Sequence, residues 1–120
     1  MGQLFFVASG GALGALTRYG ITLIALQMQL KTPYATLFAN IIGCFLAGAF
    51  LSLTLKIPFS GRLFLLTGFL GGLTTFSTFS LESWSYFLEG FWGAGILHIL
   101  LNLTLSLGAT GLGCLFFKIW

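Results

Sequence analysis

Ionisable side chains are the scarcest feature of this sequence. Among 120 residues there are five Lys or Arg, two Glu, one His and no Asp, so charged residues make up 6% of the chain. A soluble domain usually needs about a quarter of its residues charged to cover its core. The shortage excludes an ordinary soluble domain or a disordered segment, and a net charge of +3 is too thinly spread for a nucleic-acid interface. Because most general acids, bases and metal ligands are also missing, hydrolytic chemistry is not expected.

Apolar residues, in contrast, make up 58% of the chain, and the mean hydropathy is +1.05. They form four long runs, at residues 4–30, 33–55, 63–88 and 91–117. Each run is longer than the about 20 residues that cross a bilayer as a helix. A membrane β-barrel would instead require about eight or more short segments of alternating polarity. The sequence therefore predicts an all-α membrane protein, in which residues 1–120 form a single domain of four transmembrane helices.

The middle of the third run is poor in helix-forming residues. Between residues 71 and 80 it contains two glycines and five Ser or Thr. This composition predicts that the third helix is broken near residues 71–76, in the middle of the membrane. Broken backbone at that depth is tolerated where it is buried in protein or lines a cavity, and its freed carbonyls commonly bind a cation. The alternative is a continuous but kinked helix whose hydroxyls bond to the preceding turn.

Two phenylalanines follow the proposed break. Phe76 and Phe79 are three residues apart and therefore share a helix face. Simple packing explains most Phe residues in membranes. An aromatic ring nevertheless has a positive edge, so a pair of rings edge-on to a path could stabilise a small anion.

Amide and hydroxyl groups supply hydrogen-bond donors elsewhere in the chain. Asn40 is the only amide in the second run, and it serves either as an interhelical hydrogen-bond partner or as an NH₂ donor to a permeating ion. Asn102, Ser106 and Thr110 recur every four residues and form one polar stripe on the fourth run. Such stripes often only join helices, but a row of donors without acidic residues suits an anion better than a cation.

The ionisable residues inside the runs need polar surroundings. Arg18 is always charged, so it should face a vestibule or an interface rather than lipid. Glu82 lies one turn beyond Thr78 on the same helix face and is expected to accept a hydrogen bond from the Thr78 hydroxyl.

The basic residues give little bias in orientation. With four crossings, Lys56, Arg62 and Lys118 share the side of both termini and Lys31 marks the other, while Arg18 is ambiguous because it lies inside a helix. The bias is three against one or two. Because orientation follows the Lys/Arg imbalance, a nearly balanced chain can insert both ways round. A transport path also needs more wall than four short helices provide. We therefore predict an antiparallel homodimer with a two-fold axis in the membrane plane.

Taken together, these residues resemble the small fluoride-channel family called Fluc or CrcB. The resemblance spans the chain through three motifs: Gly10-Gly11-x-x-Gly14-Ala15-x-x-Arg18-Tyr19, Thr36-Leu37-x-x-Asn40 and Gly71-Gly72-Leu73-Thr74-Thr75-Phe76-Ser77-Thr78-Phe79-Ser80-x-Glu82. One departure is Ala35, which stands where the family typically has Gly. The roles of Asn102, Glu82 and His98 stay open.

The resemblance implies a fluoride-selective channel in the inner or plasma membrane, exporting cytoplasmic fluoride down its electrochemical gradient. It further implies a dual-topology dimer with two pores and one structural Na⁺ at its centre, held by the backbone carbonyls of Gly71 and Thr74. Arg18 would lie in a vestibule. The residues implied for the fluoride path are Asn40, Phe76, Ser77, Thr78, Phe79, Ser106 and Thr110. The implied partners are fluoride, membrane lipid and a second copy of the chain, and no nucleic acid.

Two other classes of protein share the general composition. A small four-helix multidrug exporter has a similar length and charge bias, but it needs an acidic residue in its first helix, where this chain has Arg18. A non-transporting assembly subunit would explain small residues at helix contacts, but not the placement of Ser, Thr and Asn.

Overall fold

The computed structural model describes residues 2–117, and within that range the chain is helical without a β-strand. We number the helices α1 (Gly2–Gln27), α2 (Thr32–Leu53), α3 (residues 59–73), α4 (Phe76–Leu88) and α5 (Trp92–Phe116). The central part of α3, Leu63–Leu70, is π-helical. Four stretches are long and apolar enough to cross a membrane, namely α1, α2, Phe59–Leu88 (α3 with α4) and α5. The prediction of an all-α chain with four candidate spans is confirmed.

Local chemistry sets the bounds of these helices. Helix α1 ends at Gln27 rather than at residue 30, because Gln29 adopts a positive φ of 59° that a helix does not contain. Pro33 lies in the first turn of α2, where its missing N–H costs no hydrogen bond. The third span begins at Phe59, directly after the extended Pro58, and not at residue 63. Lys118, one of the predicted orientation markers, lies outside the described residues.

Most of the helical surface is apolar and exposed on the single chain. Only 11% to 33% of the most apolar window of each span is buried. Leu16, Leu107 and Phe116, for example, are between 66% and 81% exposed. Water does not tolerate so much contiguous apolar area, so this surface is suited to contact lipid or another copy of the chain.

Glycines allow the helices to approach closely along two seams, one between α1 and α3 and one between α2 and α5. A Cβ atom on the glycine would meet a carbonyl oxygen of the facing helix at six positions: Gly10 meets that of Phe64, Gly14 that of Phe69, Gly68 that of Val7, Gly72 that of Gly11, Gly48 that of Thr110 and Gly113 that of Phe45. In lipid, close backbone packing replaces the hydrophobic effect as the force that holds helices together. The two seams therefore fix α3 on α1 and α5 on α2.

A small apolar core joins the two seams. Ala39 of α2 is fully buried, and it packs with Leu70 and Leu73 of α3, which are 5% and 1% exposed. Because α3 ends at Leu73, this core places the end of α3 directly against the middle of α2.

The seam between α2 and α5 provides a matched pair of glycine substitutions. We expect Gly113→Ala to destabilise the fold by about 1–3 kcal/mol, since the new methyl group must displace the Phe45 carbonyl. Gly111→Ala, two residues away with open space around it, should change stability by about 1 kcal/mol or less. Unfolding midpoints of the two variants in a denaturing-detergent titration test this expectation. Equal midpoints would show that the seam is not closely packed.

Candidate functional site

Two residues between α3 and α4 have extended backbone. Thr74 has φ −82° and ψ 154°, and Thr75 has φ −149° and ψ 124°. In a continuous helix the Thr75 N–H would donate to the carbonyl of Gly71, four residues earlier. Here it donates to Oδ1 of Asn40 on α2, at 2.9 Å. The sequence explains the location, since it places glycines and threonines here rather than helix-forming residues.

The Asn40 carboxamide binds both polar groups of the Thr75 residue. Its Oδ1 accepts from the Thr75 N–H, and its Nδ2 donates to the Thr75 carbonyl at 3.2 Å. Nδ2 also donates to Oδ1 of Asn102 on α5, at 3.1 Å. Asn40 is 9% exposed, so these bonds replace water that the amide cannot reach. The interhelical hydrogen bond, one of the two predicted uses of this amide, is therefore present.

The Thr75 side chain begins the next helix. Its Oγ1 accepts from the Thr78 N–H at 3.2 Å, which is the usual N-cap contact of a Thr residue. The same hydroxyl lies 3.1 Å from the Thr78 hydroxyl and 3.3 Å from that of Ser77. The 13-residue helix α4 thus presents its positive N-terminal end, surrounded by hydroxyl groups, to the 74–75 interruption.

From Asn102 the polar contacts continue along α5 to His98. The Asn102 Nδ2 lies 3.4 Å from His98 Nδ1 and donates to the His98 carbonyl at 3.3 Å. The other ring nitrogen, Nε2, lies 3.6 Å from Oε2 of Glu82 on α4, slightly beyond hydrogen-bond range. His98 and Asn102 are 7% and 4% exposed, so the path from Glu82 to Asn40 is a buried polar chain.

Glu82 has a different partner from the one expected. The prediction that it accepts from Thr78 is wrong, because its Oε1 accepts from the Thr36 hydroxyl of α2 at 2.8 Å. The Thr78 hydroxyl instead pairs with Thr75, since the N-cap arrangement draws both side chains to the start of α4.

Two cavities collect most of the residues that the sequence singled out. The first, of about 250 Å³, adjoins the 74–75 interruption. Its lining comprises Asn40, Cys44, Thr74, Thr75, Phe76, Phe79, Asn102, Leu103, Ser106 and Leu107. The second, of about 220 Å³, is lined by Ala15, Arg18, Tyr19, Thr22, Thr36 and Thr78. Glu82 lines neither of them.

The two phenylalanines differ in exposure. Their ring centroids are 5.4 Å apart with an interplanar angle of 56°, so they form a tilted pair. Phe79 is 7% exposed and also lies against the His98 ring, whereas Phe76 is 74% exposed. One ring is therefore held by this chain, and the other projects from its surface.

Besides Glu82, three residues of the predicted fluoride path and sodium site lie outside the two cavities. The Thr110 hydroxyl donates to the Ser106 carbonyl on its own helix, at 3.1 Å. Ser77 is exposed beside the N-cap of α4. Gly71 is exposed at the end of α3, with open space where a side chain would lie.

The contributions of Thr75 and His98 to the hydrogen bonds of the site were not predicted from the sequence. Thr75 precedes the first helical residue of α4, and a Thr at that position is a recognised start signal. His98 lies four residues before Asn102 and so extends the polar stripe of the fourth span by one turn. Both signals were in the sequence, but neither reveals which partner across the bundle each side chain meets.

Any metal ion held here would require backbone ligands. Within residues 2–117, no three His, Cys, Asp or Glu side chains are grouped closely enough to hold a metal ion. The last turn of α3, in contrast, carries carbonyls such as that of Gly71, whose usual helical donor is engaged by Asn40. Carbonyl oxygens are hard ligands that suit an alkali or alkaline-earth cation.

Comparison with known proteins defines the class of this membrane protein. Residues 5–114 match the family described as "CrcB-like protein, Camphor Resistance (CrcB)". Proteins named "Fluoride-specific ion channel FluC" are similar over nearly their whole length. The protein of Salinibacter ruber is 44% identical over 96% of this chain and 90% of its own. Those of Legionella pneumophila (strain Paris) and Pasteurella multocida are 47% and 40% identical, over 93% and 98% of this chain and 87% and 94% of their own.

The chain belongs to the CrcB family, since the family match covers most of its length and the relatives share at least 40% identity with it. The resemblance drawn from the motifs is thereby confirmed. The relatives are named as ion channels and not as enzymes, in agreement with the near absence of acid–base groups in the sequence.

The contacts of Asn40 make its conversion to Asp informative. In Asn40→Asp a carboxylate oxygen replaces the amide nitrogen and faces two acceptors, the Thr75 carbonyl and Asn102 Oδ1. We expect a loss of about 1–3 kcal/mol in unfolding free energy, because buried acceptors are left without donors. Ser80→Ala, which removes an exposed intrahelical bond on α4, is the control and should cost about 0.5 kcal/mol or less. Wild-type stability of the Asp variant would contradict the role of Asn40 as a clamp on Thr75.

Proposed function

We propose that this protein is a fluoride-selective ion channel. The family membership and the names of the relatives support this function. The observation that carries it is the cavity at the 74–75 interruption, which is lined by the amides of Asn40 and Asn102, the Ser106 hydroxyl and two Phe rings, but by no acidic side chain. Donors without acids suit an anion.

The physical demands of fluoride agree with this lining. Fluoride is small and strongly hydrated, so a path through a membrane must replace water with other hydrogen-bond donors. Amide N–H, hydroxyl O–H and the positive edges of aromatic rings are such donors. The N-terminal end of α4 adds a positive dipole beside the cavity. Together these groups compensate the charge of an anion without a permanent cation in the path.

The proposed path begins near Arg18. This arginine and Thr78 line the second cavity, which forms a vestibule that attracts anions. From there the path passes Ser77, Asn40 and the Phe76–Phe79 pair, and it continues along the stripe of Ser106 and Thr110. Thr110 contributes by rotation of its hydroxyl, which bonds to its own helix in the structure.

The direction of transport follows from the membrane potential. In the cytoplasmic membrane the inside is negative, and this potential drives an anion outwards by about 2.3 kcal/mol per 100 mV. A passive channel therefore suffices to export fluoride from the cytoplasm, and no energy-coupling group is needed.

The complete channel is proposed to be an antiparallel homodimer with two pores. Phe76 projects from the chain with 74% of its surface exposed, so it needs a second wall to enclose a path. The weak bias of Lys31 against Lys56 and Arg62 allows insertion in both orientations. A two-fold axis in the membrane plane then produces two equivalent paths.

A structural Na⁺ is proposed at the centre of this dimer. Its ligands would be the carbonyls of Gly71 and Thr74 from both copies. Two observations support these ligands. Gly71 is exposed, and the Thr75 N–H, which would bond to the Gly71 carbonyl in a continuous helix, donates to Asn40 instead. When bound, the ion would neutralise the carbonyl dipoles at the end of α3 and add positive charge near the anion path.

Fluoride efflux from proteoliposomes tests the proposed function. We expect rapid, electrogenic efflux of fluoride with no efflux of chloride, and no effect of an imposed proton gradient. A multidrug exporter would respond to the proton gradient and move organic cations, and an assembly subunit would move nothing. Either result would overturn the proposal.

The phenylalanine pair gives the most direct test of the path. Phe79→Ile and Phe76→Ile should each lower the fluoride current by about tenfold or more, because an aliphatic side chain has no positive ring edge. Leu107→Ile, an aliphatic exchange in the same cavity lining, is the control and should retain the current. Size-exclusion profiles in detergent verify that the dimer is unchanged. Full current in both Phe variants would exclude the rings from the path.

Removal of sodium tests the proposed cation. Purification and assay with N-methylglucamine as the only external cation should abolish the current and weaken the dimer, since the carbonyl groups would then lack their shared cation. Readdition of Na⁺ should restore both, measured as current in planar bilayers and as dimer fraction by crosslinking. Unchanged current and dimer fraction without Na⁺ would refute this site.

A further inference from the structure

His98 has a place in the buried polar chain that the proposed path does not use. It is the only histidine of the sequence, it is 7% exposed, and its two ring nitrogens face different partners. Nδ1 lies 3.4 Å from the Asn102 amide nitrogen, and Nε2 lies 3.6 Å from Glu82 Oε2. Two carboxamides then connect the imidazole to the backbone of Thr75.

In this series of hydrogen bonds, the direction of each bond determines which group donates and which accepts in the next. The Thr75 N–H and carbonyl fix Asn40 with its oxygen towards the N–H and its NH₂ towards the carbonyl. The Asn40 NH₂ requires an acceptor at Asn102, so the Asn102 oxygen faces it. The Asn102 NH₂ consequently points to His98, where it donates to the backbone carbonyl at 3.3 Å and lies 3.4 Å from Nδ1. A ring without a proton on Nδ1 therefore offers this NH₂ a second acceptor.

We propose that His98 is a positioning residue for the fluoride path, and that a second proton on its ring disrupts the carboxamide chain that holds the 74–75 interruption. The neutral ring with its proton on Nε2 completes the chain, since Nδ1 accepts from Asn102 while Nε2–H faces Glu82. This role rests on the proposed channel function.

Protonation at Nδ1 would bring two donors together. The Asn102 NH₂ would face an N–H, and rotation of the carboxamide to remove this conflict would turn its NH₂ towards that of Asn40. Rotation of Asn40 in turn would place its NH₂ against the Thr75 N–H and its oxygen against the Thr75 carbonyl. Because a buried donor that faces another donor is costly, a second proton on His98 disfavours the observed arrangement, in which the remaining acceptor for the Asn102 NH₂ is the His98 carbonyl.

The groups around His98 are few. Helix α4 contributes Glu82, the Tyr86 ring with its centroid at 6.0 Å, and the Phe79 ring at 5.5 Å. Helix α2 contributes the Thr36 hydroxyl, which holds the other oxygen of Glu82, and the Asn40 amide beyond Asn102. Helix α5 itself contains no Asp, Glu, Lys or Arg.

Protons can reach His98 from the side of Glu82. This carboxylate lines a further cavity, of about 450 Å³, together with Lys31, Tyr86 and Glu89. Glu89 follows the last residue of α4, and Lys31 precedes the first residue of α2, so the cavity lies at one end of the bundle. The chain from Glu82 to Thr75 thus connects this end cavity with the cavity of the proposed path.

Fluoride current in planar bilayers at symmetric pH tests the proposal, because neutral HF carries no current. The wild-type current should fall by about threefold or more as the pH is lowered from about 8 to about 4.5, a range wide enough to include protonation of a buried imidazole. His98→Asn keeps a carboxamide acceptor near the Nδ1 position and cannot titrate there, so its current should not depend on pH. His98→Leu, which offers no acceptor, should give a low current throughout. A pH-independent wild-type current would overturn the proposal.

Glu82→Gln distinguishes the two titratable groups. We expect its current to remain pH-dependent, because His98 still gains its second proton in this variant. Loss of the pH dependence in Glu82→Gln, together with its retention in His98→Asn, would assign the effect to Glu82 and overturn the role of His98.

Nitrogen NMR provides a readout that does not require fluoride conduction. In protein produced without a histidine tag and labelled with ¹⁵N-histidine, all signals come from His98. At about pH 8 in bilayers, Nδ1 should be without a proton and Nε2 protonated, and Asn102→Leu should remove this preference. A protonated Nδ1 at that pH would refute the positioning role. If neither the wild type nor any variant conducts fluoride while the NMR result holds, the proposed channel function fails. The hydrogen bond from Asn102 to a proton-free Nδ1 of His98 would still be established.

Discussion

The peptide groups of Thr75 must be hydrogen bonded within the protein, because the interior of a bilayer offers them no water. The side chain of one residue on a neighbouring helix, Asn40, meets this requirement by pairing with both the N–H and the carbonyl. The pairing allows the backbone to leave the helical conformation for two residues and then resume it. The cavity, the exposed end of α3 and the N-terminal end of α4 all exist because that interruption is stabilised.

The rest of the fold holds Asn40 and Thr75 in register. Closely packed glycines fix α3 on α1 and α5 on α2, and the core of Ala39, Leu70 and Leu73 joins the two helix pairs just before the interruption. The backbone positions are therefore set by steric contact, while the polar side chains are set by hydrogen bonds.

Much of the fold could be predicted from the sequence because lipid imposes simple rules. Length and hydropathy gave four spans, and Pro33 marked the start of α2 correctly. The end of α1 was placed three residues too late, since the unusual backbone of Gln29 has no clear signal in an apolar run. The start of the third span was missed because Phe59 and Ser60 follow a proline and resemble a loop.

The candidate site could be predicted only as a set of residue types. The sequence indicated that Asn40 needs a partner and that Phe76 and Phe79 share a face. It did not show that Asn40 meets Thr75, because a contact between residues 35 positions apart depends on how the helices are rotated. The partner of Glu82 was predicted incorrectly for the same reason, since Thr36 of α2 is reached across the bundle and not along the helix.

Both hydrogens of the Asn40 amide already have acceptors in the structure. An anion that uses this amide must therefore displace a carbonyl or carboxamide oxygen, so the free energy gained is the difference between two hydrogen bonds and not the whole of one. Such an exchange makes a shallow energy well. Shallow wells are what rapid permeation requires, because an ion that is held too tightly does not move on.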